Sequence, residues 1–64
     1  MKIKLARIKL ELTQKELAKK VGISHVTLSK IERGIYENLT FKTMKKLAKA
    51  LDTTVQELFF SEEE

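Results

Sequence analysis

Three residues, Gly22-Ile23-Ser24, separate one amphipathic stretch from the next, and they constrain the fold more tightly than any other part of the chain. Upstream, Thr13-Gln14-Lys15-Glu16 reads as a capping box, in which the Thr13 hydroxyl accepts from the Glu16 amide and the Glu16 carboxylate accepts from the Thr13 amide. Leu12 and Leu17 stand where a hydrophobic staple closes over such a box. A helix therefore starts at Gln14, turns Leu17, Ala18 and Val21 inward, and stops at Gly22, the residue best suited to a left-handed C-terminal cap. Ser24 is a new N-cap, so another helix begins at His25. Two helices joined this closely cannot lie antiparallel. They must cross at a steep angle.

The remaining punctuation gives three more helices. The first runs from about Lys2 to Leu10, with Ile3, Ala6 and Leu10 at helical spacing and Leu5 and Ile8 flanking that stripe. Helix three runs from His25 to Glu32 or Arg33 and ends at Gly34, and the loop from Ile35 to Leu39 leads to Thr40, the cap of helix four. There Phe41, Met44, Leu47, Ala48 and Leu51 share a stripe, with Lys42, Lys45, Lys46 and Lys49 off it. Thr54-Val55-Gln56-Glu57 is a second capping box for a short fifth helix ending near Phe59. With no cysteine among 64 residues, neither a disulfide nor a thiolate zinc site can hold this small fold together, so stability must come from packed apolar side chains. The expected architecture is all-α, one compact five-helix domain over residues 3–60, with an acidic tail at 61–64.

Charge placement carries the first functional information. Residues 1–35 hold nine basic and three acidic side chains, while the remainder holds four basic and six acidic ones. Such asymmetry suits a chain that presents one half to a polyanion. An enzyme is not expected: His25 is the single histidine, there is no thiol, and no glycine-rich loop follows a strand. Glu62 to Glu64 offer oxygen ligands but no cage, so neither a metal nor a cofactor is expected. No stretch approaches the roughly 20 apolar residues of a membrane span, and a cytoplasmic location is expected.

Helix three is the candidate reading element. At about 100° per residue, His25, Ser29, Arg33, Val26 and Lys30 fall within an arc of about 140°, while Leu28 and Ile31 lie on the other side. The outer arc has the chemistry that base edges require. Lysine and an imidazole N–H donate to guanine acceptors, serine donates or accepts, and a valine methyl touches the thymine methyl. Thr27 borders the core on the same wheel, so its methyl is equally suited to packing.

Taken together, Leu12-Thr13-Gln14-Lys15-Glu16-Leu17-Ala18 through Val21-Gly22-Ile23-Ser24 and Leu28-Ser29-Lys30-Ile31-Glu32-Arg33-Gly34 resemble the lambda-repressor-like, Xre/Cro-type helix-turn-helix family. Ile3 with Ala6-Arg7, and Leu47 to Asp52 with Val55 to Phe59, extend the likeness to nearly the whole chain, the motif itself spanning about 14–33. The resemblance implies a third helix that enters the major groove, and a two-fold dimer on a near-palindromic operator. It implies base contacts from His25, Val26, Ser29 and Lys30, and backbone contacts from Gln14, Thr27 and Arg33. Tyr36, Asn38 and Lys42 are further backbone candidates, with a packed ring and a turn residue as the alternatives for the first two. Arg7 and Glu32 match a pair the family often joins as a partly buried ion pair. Two departures stand out. Glu11 occupies the place of a frequent glycine, and the loop after Gly34 contains Glu37 but no basic residue, which implies a shallow salt dependence.

Leu58, Phe59 and Phe60 cannot all point inward from one helical turn, so a surplus apolar side chain is expected at the surface, in a region where the resemblance places dimer contacts. The expected function is therefore sequence-specific binding of double-stranded DNA by a homodimeric transcriptional regulator, a repressor, with no small-molecule effector. The competing reading is a protein-binding adaptor or antitoxin built on the same bundle.

Overall fold

The computed structural model describes residues 2–37 and 39–60; Asn38 and the acidic tail from Ser61 to Glu64 lie outside the described residues. Five helical segments and no strand occupy the described residues: α1 (Lys2–Lys9), α2 (Gln14–Val21), α3 (His25–Glu32), α4 (Phe41–Ala50) and α5 (Gln56–Phe60). Helices of eight residues are marginal on their own, so each end must be capped and each inner face packed.

The caps form where the residue types require them. The Glu16 amide donates to Thr13 Oγ1 at 3.0 Å and the Thr13 amide donates to Glu16 Oε1 at 2.8 Å, closing the first box. Gly22 takes φ 84°, and its amide and that of Ile23 both reach the Ala18 carbonyl, at 2.8 and 3.0 Å. Ser24 then receives the Thr27 amide at 3.1 Å, and Thr40 receives that of Thr43 at the same distance.

α2 lies at the centre, packed on both α3 and α4, and α1 packs on α3. The core comprises Ile3, Leu17, Ala18, Val21, Leu28, Ile31, Leu47, Ala48, Leu51 and Leu58, with Leu17, Leu28, Ile31 and Leu47 its largest fully buried side chains. The expected inner faces of α2 and α3 are therefore the observed ones.

At three places the packing departs from the periodicity. On α1 only Ile3 is buried and Ala6 half-buried, whereas Leu5, Ile8 and Leu10 are exposed. Arg7 takes the next inward position of that face, and the helix ends before Leu10, which sits in the turn. Phe41 is the second departure: it is 61% exposed because the buried residues of α4, Leu47 and Ala48, lie in its second half, and the first turn projects beyond the core. The Lys45 ammonium lies 5.4 Å from the Phe41 ring centre and shields one face of it.

The third departure is α5, which is a single wide π-type turn rather than an α-helix. Five residues supply too few hydrogen bonds to enforce regular winding, and burial of Leu58 dominates. The Thr54 hydroxyl still accepts from the Glu57 amide at 3.1 Å, and Glu57 Oε1 lies 3.9 Å from Lys2 Nζ. Of the apolar triplet, Leu58 enters the core, Phe59 is half-buried with its ring edge-on to Tyr36 at 5.8 Å, and Phe60 is 63% exposed.

The α1–α2 turn closes without glycine, and the cost falls on Glu11, which adopts φ 59°. The left-handed conformation costs an L-residue about 1–2 kcal/mol, partly offset when glycine is introduced by the added freedom of its unfolded chain. Glu11→Gly is therefore expected to stabilise the domain by about 0.5–1 kcal/mol, raising Tm by roughly 2–8 °C, and Glu11→Val to lower it. Thermal unfolding followed by circular dichroism at 222 nm measures both.

Candidate nucleic-acid interface

The interface is built from the two ends of the α2–α3 turn. The left-handed Gly22 cap ends α2, and the Ser24 cap starts α3 two residues later, leaving room only for half-buried Ile23. Leu28 and Ile31 turn α3 inward with Glu32 at its end, so Val26, Lys30 and Arg33 are carried on its exposed side, with Ser29 half-buried at the edge and His25 exposed on the first turn. Val26, 57% exposed on the first turn, is an apolar side chain displayed to solvent among polar neighbours.

Several of these side chains already have partners. Ser24 Oγ donates to Thr27 Oγ1 at 3.0 Å, so Thr27 is exposed and tied to the cap rather than packed in the core. Arg33 folds back over its own helix, its Nε donating to the Ser29 carbonyl at 3.4 Å. Lys30 Nζ lies 4.0 Å from Glu37 Oε1 in the following loop. Tyr36, 46% exposed, combines a ring packed on Phe59 with accessible surface, and Lys42 is exposed on the first turn of α4.

Beneath the exposed face lies a buried polar cluster. Glu32 is 4% exposed, and Arg7 reaches it through Nε at 2.6 Å and Nη2 at 3.3 Å. Arg7 Nη1 also donates to the Leu12 carbonyl at 2.9 Å. Gln14 completes the set, its Nε2 donating to Glu32 Oε1 at 3.0 Å. Among the described residues every buried side-chain nitrogen and oxygen has a hydrogen-bond partner.

The expected Arg7–Glu32 pair is present, but the third member was not legible in the sequence. Gln14 and Glu32 are separated by 18 positions, and no periodicity links the first residue of one helix to the last of the next. Gln14 thus stands in the fold's main ion-pair cluster as well as at the amide end of α2. The proximity of Glu37 to Lys30 is likewise not legible in the sequence, where the only signal is an acidic residue in a loop otherwise free of charge.

Among the described residues no group of three His, Asp or Glu side chains is placed to hold an ion, and no helix is long and apolar enough to cross a membrane.

A family model for the helix-turn-helix matches residues 3–58. An Archaeoglobus fulgidus protein named an uncharacterized HTH-type transcriptional regulator is 36% identical over 63 residues, covering 98% of this chain and 87% of its own length. A Methanocaldococcus jannaschii protein with the same description is also 36% identical over 63 residues, covering 98% of this chain and 94% of its own length. No solved structure gives a significant match.

The Glu32 cluster makes a clear energetic prediction. Arg7→Met leaves a buried carboxylate without its cation and is expected to destabilise the domain by about 3–5 kcal/mol, whereas Arg7→Met combined with Glu32→Leu recovers a substantial part of that loss. Urea titrations of the single and double variants measure the difference.

Proposed function

Because the chain belongs to the helix-turn-helix family of transcriptional regulators, a family of DNA-binding proteins, we propose that it reads a specific duplex sequence through α3, as a homodimer acting as a repressor on a near-palindromic operator. The observation that carries this reading is the division of α3: Leu28, Ile31 and Glu32 anchor it, while Val26 and Lys30 are exposed on the side away from Leu28 and Ile31, and His25 is exposed on the first turn at the exit of the Gly22–Ser24 turn. Lys30 and His25 donate to purine acceptors, Val26 meets a thymine methyl, and Ser29 reaches a base from the groove edge. The amide end of α2, at Gln14, engages a phosphate, with Thr27, Arg33, Tyr36 and Lys42 available along the backbone. Asn38, a further backbone candidate, lies outside the described residues.

The dimer contact rests on Phe60 and the exposed part of Phe59, since Leu58 is committed to the core. A two-fold arrangement sets the two α3 helices roughly 34 Å apart, one turn of duplex. A protein partner in place of DNA, as for an adaptor or antitoxin, is favoured by one feature only. This is a groove of about 410 Å³ between α1 and the α4–α5 region, lined in part by Leu5, Leu10, Leu51 and Leu58.

Binding to selected and random duplexes over a salt series separates the two readings. Lys30→Ala is expected to lose about 1–3 kcal/mol on the selected site and to relax preference there, while Lys42→Ala weakens all duplexes alike. Absence of any duplex preference in the wild type overturns the DNA-reading role and leaves the protein-partner reading. Sedimentation at micromolar concentration is expected to show a dimer that Phe60→Ser dissociates; a wild type that stays monomeric both free and on DNA overturns the dimer.

A further inference from the structure

A dimer contact confined to the rings of α5 is too small. Phe60 is 63% exposed and Phe59 half-buried, and an aromatic side chain covers about 150–250 Å² when fully buried, so the two supply no more than about 250 Å² together. A stable protein interface takes roughly 800 Å² from each partner. The rest must come from surface continuous with α5.

The groove of about 410 Å³ is such a surface, because Glu57 and Leu58 of α5 themselves line it. Its other wall is α1 and the turn that follows, where Leu5 is 60% exposed and Leu10 is also exposed. Leu51 and Leu58 complete an apolar lining of four leucines. No residue of α2 or α3 takes part, so the groove can be covered while α3 stays free for a duplex.

Charge selects what covers it. α1 carries Lys2, Lys4 and Lys9 and no acidic residue, so two copies of α1 laid together repel each other. The opposite wall of the groove carries Asp52 and Glu57. Lys9 and Asp52 therefore stand on different walls, and among the described residues neither has an ion-pair partner. A rim of one sign would suit a foreign partner of the other sign. A rim with an unpaired cation on one wall and an unpaired anion on the other complements a second copy of itself, since a two-fold axis brings each cation to the partner's anion.

We propose that a second copy of this chain fills the groove: the Phe60 ring of each protomer seats against Leu5, Leu10, Leu51 and Leu58 of its partner, and Lys9 pairs with the partner's Asp52 at the mouth. This rests on the homodimer argued above and gives it a geometry, in which α1 lies against the partner's α4–α5 corner. Phe60 is two residues from groove-lining Leu58, so each protomer carries the inserted ring and its receptor at the same end, as an isologous contact requires.

Sedimentation velocity of the full chain over a concentration series tests this. Leu5 and Lys9 are exposed, so substituting them leaves the core intact. Leu5→Ser is expected to weaken the dimer by roughly tenfold or more, and Leu5→Ser combined with Phe60→Ser to lose little beyond either change alone, as for two sides of one contact. Lys9→Glu and Asp52→Lys, each folded as judged by circular dichroism, are expected to weaken it by roughly tenfold as well, because each sets like charges together. An equal mixture of those two variants is expected to dimerise within about threefold of wild type, since every pair in the mixed dimer again joins opposite charges. The groove contact is overturned if the dimer survives both Leu5→Ser and Lys9→Glu, if the mixture stays monomeric, or if the losses at Leu5 and Phe60 add in full. It is overturned too if Ile35→Ser, on the Tyr36 side of α5, dissociates the dimer and Leu5→Ser does not. A wild type that stays monomeric overturns the homodimer and the groove contact with it, an outcome distinct from the others.

Discussion

Glu32 holds a carboxylate almost entirely out of water at the C-terminal end of α3, where the helix already presents the negative end of its dipole. Burial of a charge there is tolerable only with full compensation, and three donors supply it: two from Arg7 on α1 and one from Gln14 at the start of α2. Arg7 spends a further N–H on the Leu12 carbonyl, which ties in the turn between α1 and α2. One carboxylate therefore links three helices and a connecting turn in a chain that has no disulfide. Because segments of eight residues are marginal alone, this link and the shared apolar core set where α3 stands.

The geometry of the interface follows from that placement. With Leu28 and Ile31 committed inward, helical periodicity leaves Val26 and Lys30 on the outer side, whereas His25, in register with buried Glu32, is exposed at the first turn of the helix. Gln14 joins the two levels: its side chain belongs to the buried cluster, while the free amides of the α2 end remain for a phosphate. A disturbance at Glu32 therefore reaches the start of α2 directly, where the proposed phosphate contact lies. The charge balance is similarly a matter of position. The basic first 35 residues contain α3, and Glu37 just beyond them places a negative group within reach of Lys30.

Local chemistry made much of this readable. The Thr13–Glu16 box, the Gly22 cap and the Ser24 cap depend on neighbours within four residues, and each forms as the residue types dictate. The inner faces of α2 and α3 follow from a period that local backbone geometry guarantees once those caps are placed. What failed was the extrapolation of periodicity to places where the partner surface runs out. Leu10 has the right spacing, but the turn removes it from the face; α3 offers Arg7 a carboxylate, and the flanking Leu5 and Ile8 stay exposed. Phe41 follows the α4 stripe, yet its end of the helix projects past the core. The triplet Leu58-Phe59-Phe60 announced a surplus without saying which ring would carry it, because that depends on the room left by Tyr36 and the core.

By itself, then, the sequence determined where helices start and stop, which residues of α2 and α3 turn inward, and that Gly22 and Ser24 force a sharp crossing, since all of these are settled by contacts within a turn or two of chain. Glu11 illustrates the boundary: the lack of glycine was visible, but only the tertiary structure required the turn to close in the left-handed conformation regardless. The tertiary structure likewise decided that Gln14 completes the Glu32 cluster, that Glu37 stands beside Lys30, and that α5 winds as one wide turn around buried Leu58. Each of these depends on where a distant segment ends up, and such distances are set by the packing of the whole core rather than by any local propensity.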